Sequence, residues 1–229
     1  MATKPEASHV YVLHRRPYGE RGALLELLSG EGRISAIARR AVAAPFQLHW
    51  MELTGRGELK SVRLCEAVGP AALPQGLALY AGLYLNELTL RLLPRGLPCE
   101  SLWPVYLQTV SALLLASEFW EADLRRYELA LLSLLGDEHL FAYGVDDGAP
   151  IIAETSYRLD PGRGFVPAAQ GIAGASLLAM AQGDFSSTSV LAQARPLFRQ
   201  LIDHALAGRT LRSRELYRQA LAVRPGERF

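Results

Sequence analysis

Short runs of alternating hydrophobic and polar residues, punctuated by glycine, fill the first 70 positions of the chain. The alternation is clearest where Phe46, Leu48 and Trp50 interleave with Gln47 and His49. A period of two indicates β-strands, and five segments are strand-like: HVYVLH at 9–14, ALLELL at 23–28, RISAIAR at 33–39, FQLHWMEL at 46–53 and ELKSVRLCEAV at 58–68. Five short strands predict a small closed barrel, either an OB fold or an SH3-like barrel, which would leave much the same pattern.

The hydrophobic period changes to that of helices after Pro70 and Pro74. Leucines and aromatic residues then recur every three or four positions, which predicts amphipathic helices whose apolar faces form a core. Gly136 is well placed to end one helix, and Pro196 either starts a helix at Leu197 or kinks one. The helical segments are 77–92, 103–114, 124–135, 174–182, a run around Pro196, and a short basic helix within 210–223.

Residues from about 137 to 170 interrupt the helical pattern. This stretch is polar and rich in glycine, and it contains Asp146, Asp147 and the turn-like DPGRG at 160–164, so we expect an irregular inserted segment. The sequence as a whole predicts an α+β protein. An N-terminal five-stranded OB-type β-barrel domain at 1–72 is followed by a mainly α-helical domain at 73–229.

The formal net charge of +1 hides an uneven distribution of charge. Residues 1–70 carry +3, residues 71–190 carry −7 and residues 191–229 carry +5. Of the 24 basic residues, 22 are arginine, whose planar guanidinium suits phosphates and base faces better than a lysine ammonium does. Two basic ends around an acidic middle favour an anionic ligand at one or both ends, the alternative being a solvated mixture of signs.

The sequence holds few residues that could perform catalysis or bind a metal. None of the five histidines forms an HExxH or HxxxH pair, and no phosphate-binding loop or nucleophile elbow is present. Cys65 and Cys99 have no CxxC spacing, so we expect both to be small core residues and expect neither zinc nor another cofactor. These features predict a non-enzymatic protein, although a hydrolase assembled from distant residues stays open.

A cytoplasmic protein is expected from the same sequence. No uninterrupted apolar stretch approaches the 18 or so residues that a membrane span needs. The first residues, MATKPEASHV, lack the apolar segment of a signal peptide. We therefore expect no membrane partner.

Seven blocks stand in order along almost the whole chain: VLHRRPYGE at 12–20, GRISAIARR at 32–40, GRGELKSVRLCEAV at 55–68, LYAGLYLNEL at 79–88, LRRYELALLSLLG at 124–136, YRLDPGRGFV at 157–166 and LRSRELYRQ at 211–219. Together they resemble the RecO family of bacterial recombinational repair proteins. The blocks at 79–88 and 124–136 are the most distinctive. The resemblance implies an OB domain, a helical domain and an interposed segment that carries a zinc site in some relatives.

The resemblance also implies a recombination mediator that acts at the nucleoid. Such a protein anneals single-stranded DNA and loads recombinase onto DNA covered by single-strand binding protein, together with the partner RecR. Two features depart from the family pattern. No cysteine occurs between 100 and 229, so the zinc site is not carried over. The connection after Arg40 is only AVAA, where the resemblance implies a longer, basic loop. The short connection favours an alternative, a protein-interaction adaptor with little DNA binding of its own.

The basic residues of the barrel are the candidates for contacting DNA phosphates under this resemblance. They are Arg15, Arg16, Arg33, Arg39, Arg40, Arg56, Lys60 and Arg63. Four aromatic residues could stack on bases, namely Tyr11, Tyr18, Phe46 and Trp50. We expect Phe46 and Trp50 to fill the barrel interior instead, because a barrel this small needs large side chains there.

The block at 124–136 is the candidate site for a protein partner. The resemblance assigns a basic residue at the Arg125 position to the acidic, Phe-ended C-terminal tail of single-strand binding protein. A guanidinium would receive the tail carboxylate while leucines take the ring, and the candidates are Arg125, Arg126, Leu124 and Leu131. Spacing alone favours a simpler reading, in which Arg125 pairs with Glu121 or Glu128.

Overall fold

The structure, a computed structural model, describes residues 6–39, 44–136, 141, 149–160 and 164–223. Its strands are β1 (Glu6–Tyr18), β2 (Gly22–Ser29), β3 (Gly32–Ala38), β4 (Leu48–Thr54), β5 (Leu59–Val68), β6 (Ser156–Asp160), β7 (Gly164–Pro167) and β8 (Ile172–Ala173). Its helices are α1 (Leu77–Leu92), α2 (Leu102–Leu114), α3 (Trp120–Leu134), α4 (Gly174–Ala181), α5 (Thr188–Ala205) and α6 (Arg212–Val223).

The first five strands close into a barrel in the order β1-β2-β3-β5-β4. β1 pairs with both β2 and β4, and β3 runs parallel to β5. This arrangement is the five-stranded Greek-key barrel of the OB type. The predicted fold class, an OB-type barrel followed by a mainly helical region, is therefore confirmed, and the sequence ambiguity with an SH3-like barrel is resolved.

Small and branched aliphatic side chains fill the barrel interior. Valines of β1, alanine and leucines of β2, and Met51 and Leu53 of β4 form one buried cluster. The prediction for β4 was wrong about which face is buried. His49 is 1% exposed and shares the buried face with Met51 and Leu53, whereas Trp50 is only partly buried and lies against the His9 ring, with centroids 4.9 Å apart.

Phe46 is buried as predicted, but outside the interior cluster of the barrel. Its ring lies against Gly82 of α1, where a Cβ would come within 2.7 Å of the ring. Tyr11 is buried as well, because its ring packs on Trp103 and Tyr106 of α2 at centroid distances of 6.1 and 5.4 Å. The barrel and the first two helices therefore share side-chain packing.

The two cysteines have different environments. Cys99 is fully buried, as expected, and its thiol donates to the Ser29 carbonyl at 3.0 Å. Burial raises the pKa of Cys99 to about 11, so the thiol stays protonated at neutral pH. Cys65 is exposed on β5, which corrects the expectation of a core residue.

The chain forms two compact units, and the first contains the barrel, α1, α2 and α6. The C-terminal helix α6 returns to pack on α1. Glu87 of α1 caps the N-terminus of α6, although it lies 125 positions before Arg212 in the sequence. Its carboxylate accepts hydrogen bonds from the Arg212 and Ser213 amides at 3.0 and 2.8 Å, and from the Ser213 hydroxyl at 2.7 Å. Arg214 lies over the Tyr84 ring, 5.6 Å from its centroid. The described basic residues of α6 thus belong to the same unit as the basic barrel.

Replacing Glu87 by glutamine should destabilise the first unit by about 1 to 2 kcal/mol, because charge-assisted bonds at a helix N-terminus are lost. Burial alone would raise the pKa of Glu87, but the bonds from Ser213 and Arg212 outweigh it, so the pKa is lowered from 4.5. A lowered pKa means that the contribution is complete above pH 4.5 and is lost as the pH falls through the folded-state pKa. Urea denaturation at neutral and acid pH should show that the difference in the free energy of unfolding between Glu87→Gln and the parent becomes smaller at acid pH. The control, Glu100→Gln on the surface, should have the same free energy of unfolding as the parent at both pH values.

The second unit comprises residues 121–210 and contains the described part of α3 beyond Trp120 together with β6–β8, α4 and α5. β6 pairs with β7 and β8 in a three-stranded antiparallel sheet. The segment expected to be irregular therefore holds two strands, β6 and β7. Phe141, Phe165, Phe185 and Phe198 form a chain of ring contacts in the core. Pro196 lies inside α5, as the kink alternative allowed.

Candidate nucleic-acid interface

The second half of β1 extends beyond the part of the strand that pairs with β4. β1 pairs with β4 only as far as Tyr11, while its pairing with β2 continues to Tyr18 opposite Gly22. Every residue from 14 to 21 is exposed. Within the described chain, the second edge of β1 carries no strand beyond Tyr11. This exposed hairpin end, residues 14–21, is called the hairpin arm below.

The hairpin arm carries two of the predicted DNA-contacting residues, Arg15 and Arg16, and one that the sequence reasoning missed, Arg21. Arg39 lies close to the arm, because Ala38 at the end of β3 pairs with Ala23 at the start of β2. All four arginines are exposed, and no hydrogen bond or ion pair joins them to another described residue. Such unpaired guanidiniums are available to an anionic ligand.

Three other predicted residues lie outside the hairpin arm, on the β4–β5 turn and on β5. Arg56 is in the turn between β4 and β5, beside the start of β1, since Glu6 pairs with Leu53. Lys60 is partly buried and donates to the Gly55 carbonyl at 3.1 Å. Arg63 is exposed but forms an ion pair with Glu52 across the strands.

The side chain of Arg33 is held within the fold and is not open to a ligand. Its side chain is 13% exposed and donates to the Leu90 carbonyl of α1 at 2.5 Å. Glu26 lies 4.0 Å from it and accepts a hydrogen bond from Arg95 at 2.7 Å. Partial burial of the guanidinium lowers the pKa of Arg33. Arg40, the eighth predicted residue, lies outside the described residues.

The predicted partner-binding residues of α3 are tied into the second unit. Arg125 is 13% exposed and pairs with Glu128, whose side chain is fully buried, and its guanidinium carbon lies 6.0 Å from the centroid of the Phe198 ring. The simpler reading of the sequence thus describes a contact that the structure contains. Arg126 bonds the Gly183 carbonyl at 2.9 Å and Asp123 at 2.8 Å. Leu124 and Leu131 are 4% and 0% exposed.

Metal-ligating side chains do not gather anywhere in the described part of the chain. Among the described residues, no group of three or more His, Cys, Asp or Glu could hold a metal ion. The absence of zinc remains a prediction of the sequence. None of the described helices is long and apolar enough to cross a membrane.

Comparison with known proteins identifies the family of this chain. Residues 73–215, which begin soon after the barrel ends, match the family model described as Recombination protein O C terminal. The chain is 43% identical over 222 residues to the DNA repair protein RecO of Pseudomonas aeruginosa (strain LESB58), covering 92% of this chain and 94% of that protein. The chain belongs to the RecO family.

Two further members of the RecO family show the same full-length similarity. The DNA repair protein RecO of Stutzerimonas stutzeri (strain A1501) is 41% identical over 230 residues, covering 95% of this chain and 96% of that protein. The protein of the same name from Methylococcus capsulatus (strain ATCC 33009 / NCIMB 11132 / Bath) is 39% identical over 230 residues, covering 93% of each. RecO similarity therefore spans both the barrel and the helices, and the resemblance read from the sequence blocks is confirmed.

Proposed function

We propose that the chain is a recombination mediator that binds and anneals single-stranded DNA and helps to load recombinase onto DNA covered by single-strand binding protein. It does so without catalysis or a cofactor, in the cytoplasm at the nucleoid. The observation that carries the proposal is the group of four exposed arginines on and beside the hairpin arm, Arg15, Arg16, Arg21 and Arg39, which have no described partner. RecR is proposed as a protein partner from the family relationship.

The hairpin arm suits a flexible anionic strand better than a folded acidic protein. Its arginines stand on the exposed end of β1 and on the turn that follows it, and successive phosphates of a single strand can follow such an exposed edge. We therefore narrow the DNA-contacting set to the arm and Arg39. Arg56, Lys60 and Arg63 become secondary contacts in this proposal, because Arg56 lies on the β4–β5 turn and Lys60 and Arg63 already bond the Gly55 carbonyl and Glu52.

Binding to labelled single-stranded DNA across a salt series tests this function. Each neutralised phosphate adds about −0.7 to the slope of log affinity against log salt, so four arginines should give a slope of roughly −2 to −4. Two unrelated sequences should give the same affinity and slope, since phosphate contacts do not read sequence. A flat response would favour the adaptor alternative, in which the chain acts through protein partners.

The acidic tail of single-strand binding protein is the second proposed ligand, with Arg125 as its anchor. The ion pair between Arg125 and Glu128 constrains this proposal, because a tail carboxylate would compete with Glu128 for the guanidinium. Since Leu124 and Leu131 are buried, the aromatic end of the tail needs either another slot or a local opening of α3. We therefore expect each ligand to have its own site, with DNA at the hairpin arm and the tail on the second unit.

A further inference from the structure

The barrel offers four aromatic residues that could stack on a base, and the structure separates one of them from the rest. Tyr11 is packed beneath α2, Phe46 is buried, and Trp50 lies against His9. Tyr18 is 50% exposed at the end of β1, and its ring contacts no other ring among the described residues. A half-exposed ring of this kind still has an apolar face that a ligand can cover.

The strand register surrounds Tyr18 with positive charge and open space. Arg16 lies two positions earlier on the same face of β1, since side chains alternate along a strand. Gly22 stands opposite Tyr18 and has no side chain to cover the ring. Arg16 is opposite Leu24, which is opposite Ile37, and Arg39 follows one residue after the end of β3. One face of the hairpin therefore presents the Tyr18 ring beside the Arg16 guanidinium, with Arg39 at the adjacent end of β3.

We propose that Tyr18 is the base-stacking residue of this site and that it gives the protein its preference for single-stranded over duplex DNA. The inference rests on the proposed function and adds a second kind of contact to it. Arginines bind the phosphates of either form, because both carry the same charge groups. Only an unpaired base exposes a face on which the ring can stack, since the bases of a duplex already stack on one another.

The unpaired edge of β1 argues for a nucleic acid rather than an added peptide strand. A partner strand would need regular main-chain donors and tolerant side chains along that edge. Pro17 has no amide hydrogen to donate, and proline is tolerated on edge strands. The adjacent Arg15 and Arg16 add charge, which also opposes strand addition. The same charges attract a polyanion.

The test compares Tyr18→Ala and Tyr18→Phe in the full chain, using a labelled oligothymidylate, the same strand with abasic residues, and a duplex. Base stacking on an aromatic ring is worth roughly 1 to 3 kcal/mol, which corresponds to about a fivefold to a hundredfold change in affinity. Tyr18→Ala should lose that much affinity for the normal single strand, while Tyr18→Phe should keep it. Duplex affinity and the salt slope should stay at parental values in both variants.

The abasic strand is the control for stacking, because it has no bases to stack on the ring. Parent and Tyr18→Ala should bind it equally. If Tyr18→Ala bound the normal strand as tightly as the parent while the salt slope stayed steep, the stacking role would be wrong and the phosphate site would stand. If no variant and no salt concentration changed binding, the proposed function itself would fail. If Tyr18→Ala lost affinity equally for the normal strand, the abasic strand and the duplex, while Tyr18→Phe lost none, the side chain would support the hairpin and the stacking assignment would be wrong. If Tyr18→Phe shared the loss, the contact would be the hydroxyl, and stacking would again be excluded.

Discussion

Substituting Arg125 with alanine should destabilise the second unit by on the order of 3 to 5 kcal/mol, the usual cost of removing one partner from a buried ion pair. The side chain of Glu128 is fully buried, so its carboxylate would be left without the guanidinium that pairs with it. The contact of Arg125 with the Phe198 ring would be lost as well. Urea denaturation followed by circular dichroism measures the change in the free energy of unfolding.

A double variant, Arg125→Met with Glu128→Leu, is the matched control. Replacing both partners of a buried pair by apolar residues of similar size is often neutral or stabilising, so its stability should be close to that of the parent. This variant also tests the tail proposal without unfolding the site, because it removes the cation and keeps the packing. We expect it to bind the tail peptide at least tenfold more weakly than the parent, the cost of a charge-assisted hydrogen bond. Parental tail binding by the double variant would exclude Arg125 as the anchor, and parental stability of Arg125→Ala would show that the pair is not structural.

The strands and helices could be predicted from the sequence because their hydrophobic periods are local. The predicted helix at 77–92 coincides with α1, and each of the five predicted strands overlaps an observed one. The burial of β4 could not be predicted in the same way. Both faces of that strand carry large residues, so alternation identified the strand but could not say whether His49 or Trp50 faces inward.

Long-range contacts explain what the sequence could not show at the candidate site. Arg16 and Arg33 look alike as exposed-strand arginines in the sequence, yet Arg33 is held by the Leu90 carbonyl 57 positions away. The Glu87 cap on α6 spans 125 positions and leaves no local signal. Tyr18 differs from Tyr11 only in what packs on it, and that depends on the placement of α2. Availability to a ligand is therefore a tertiary property here.

Reversing the charge of Arg15 and Arg16 together should weaken single-stranded DNA binding by at least a hundredfold. Each arginine that bonds a phosphate contributes on the order of 1.5 to 3 kcal/mol, and the introduced glutamates add repulsion. The slope of log affinity against log salt should become shallower by about 1.4, since two phosphate contacts at about 0.7 each are lost. Both side chains are exposed and have no described partner, so the free energy of unfolding should change little.

The matched control reverses Arg56 and Lys60, which changes the net charge by the same amount on the same barrel. Arg56 is exposed on the β4–β5 turn, beside the start of β1. Lys60 is partly buried opposite Ala36 of β3, three strands along the barrel from Arg15. A site on the hairpin arm predicts a small, salt-dependent loss for the control, because only long-range attraction is reduced. If the two double variants lost affinity equally, DNA would follow the whole barrel instead of the arm. If the control lost more, the binding site would have to be moved to the β4–β5 turn.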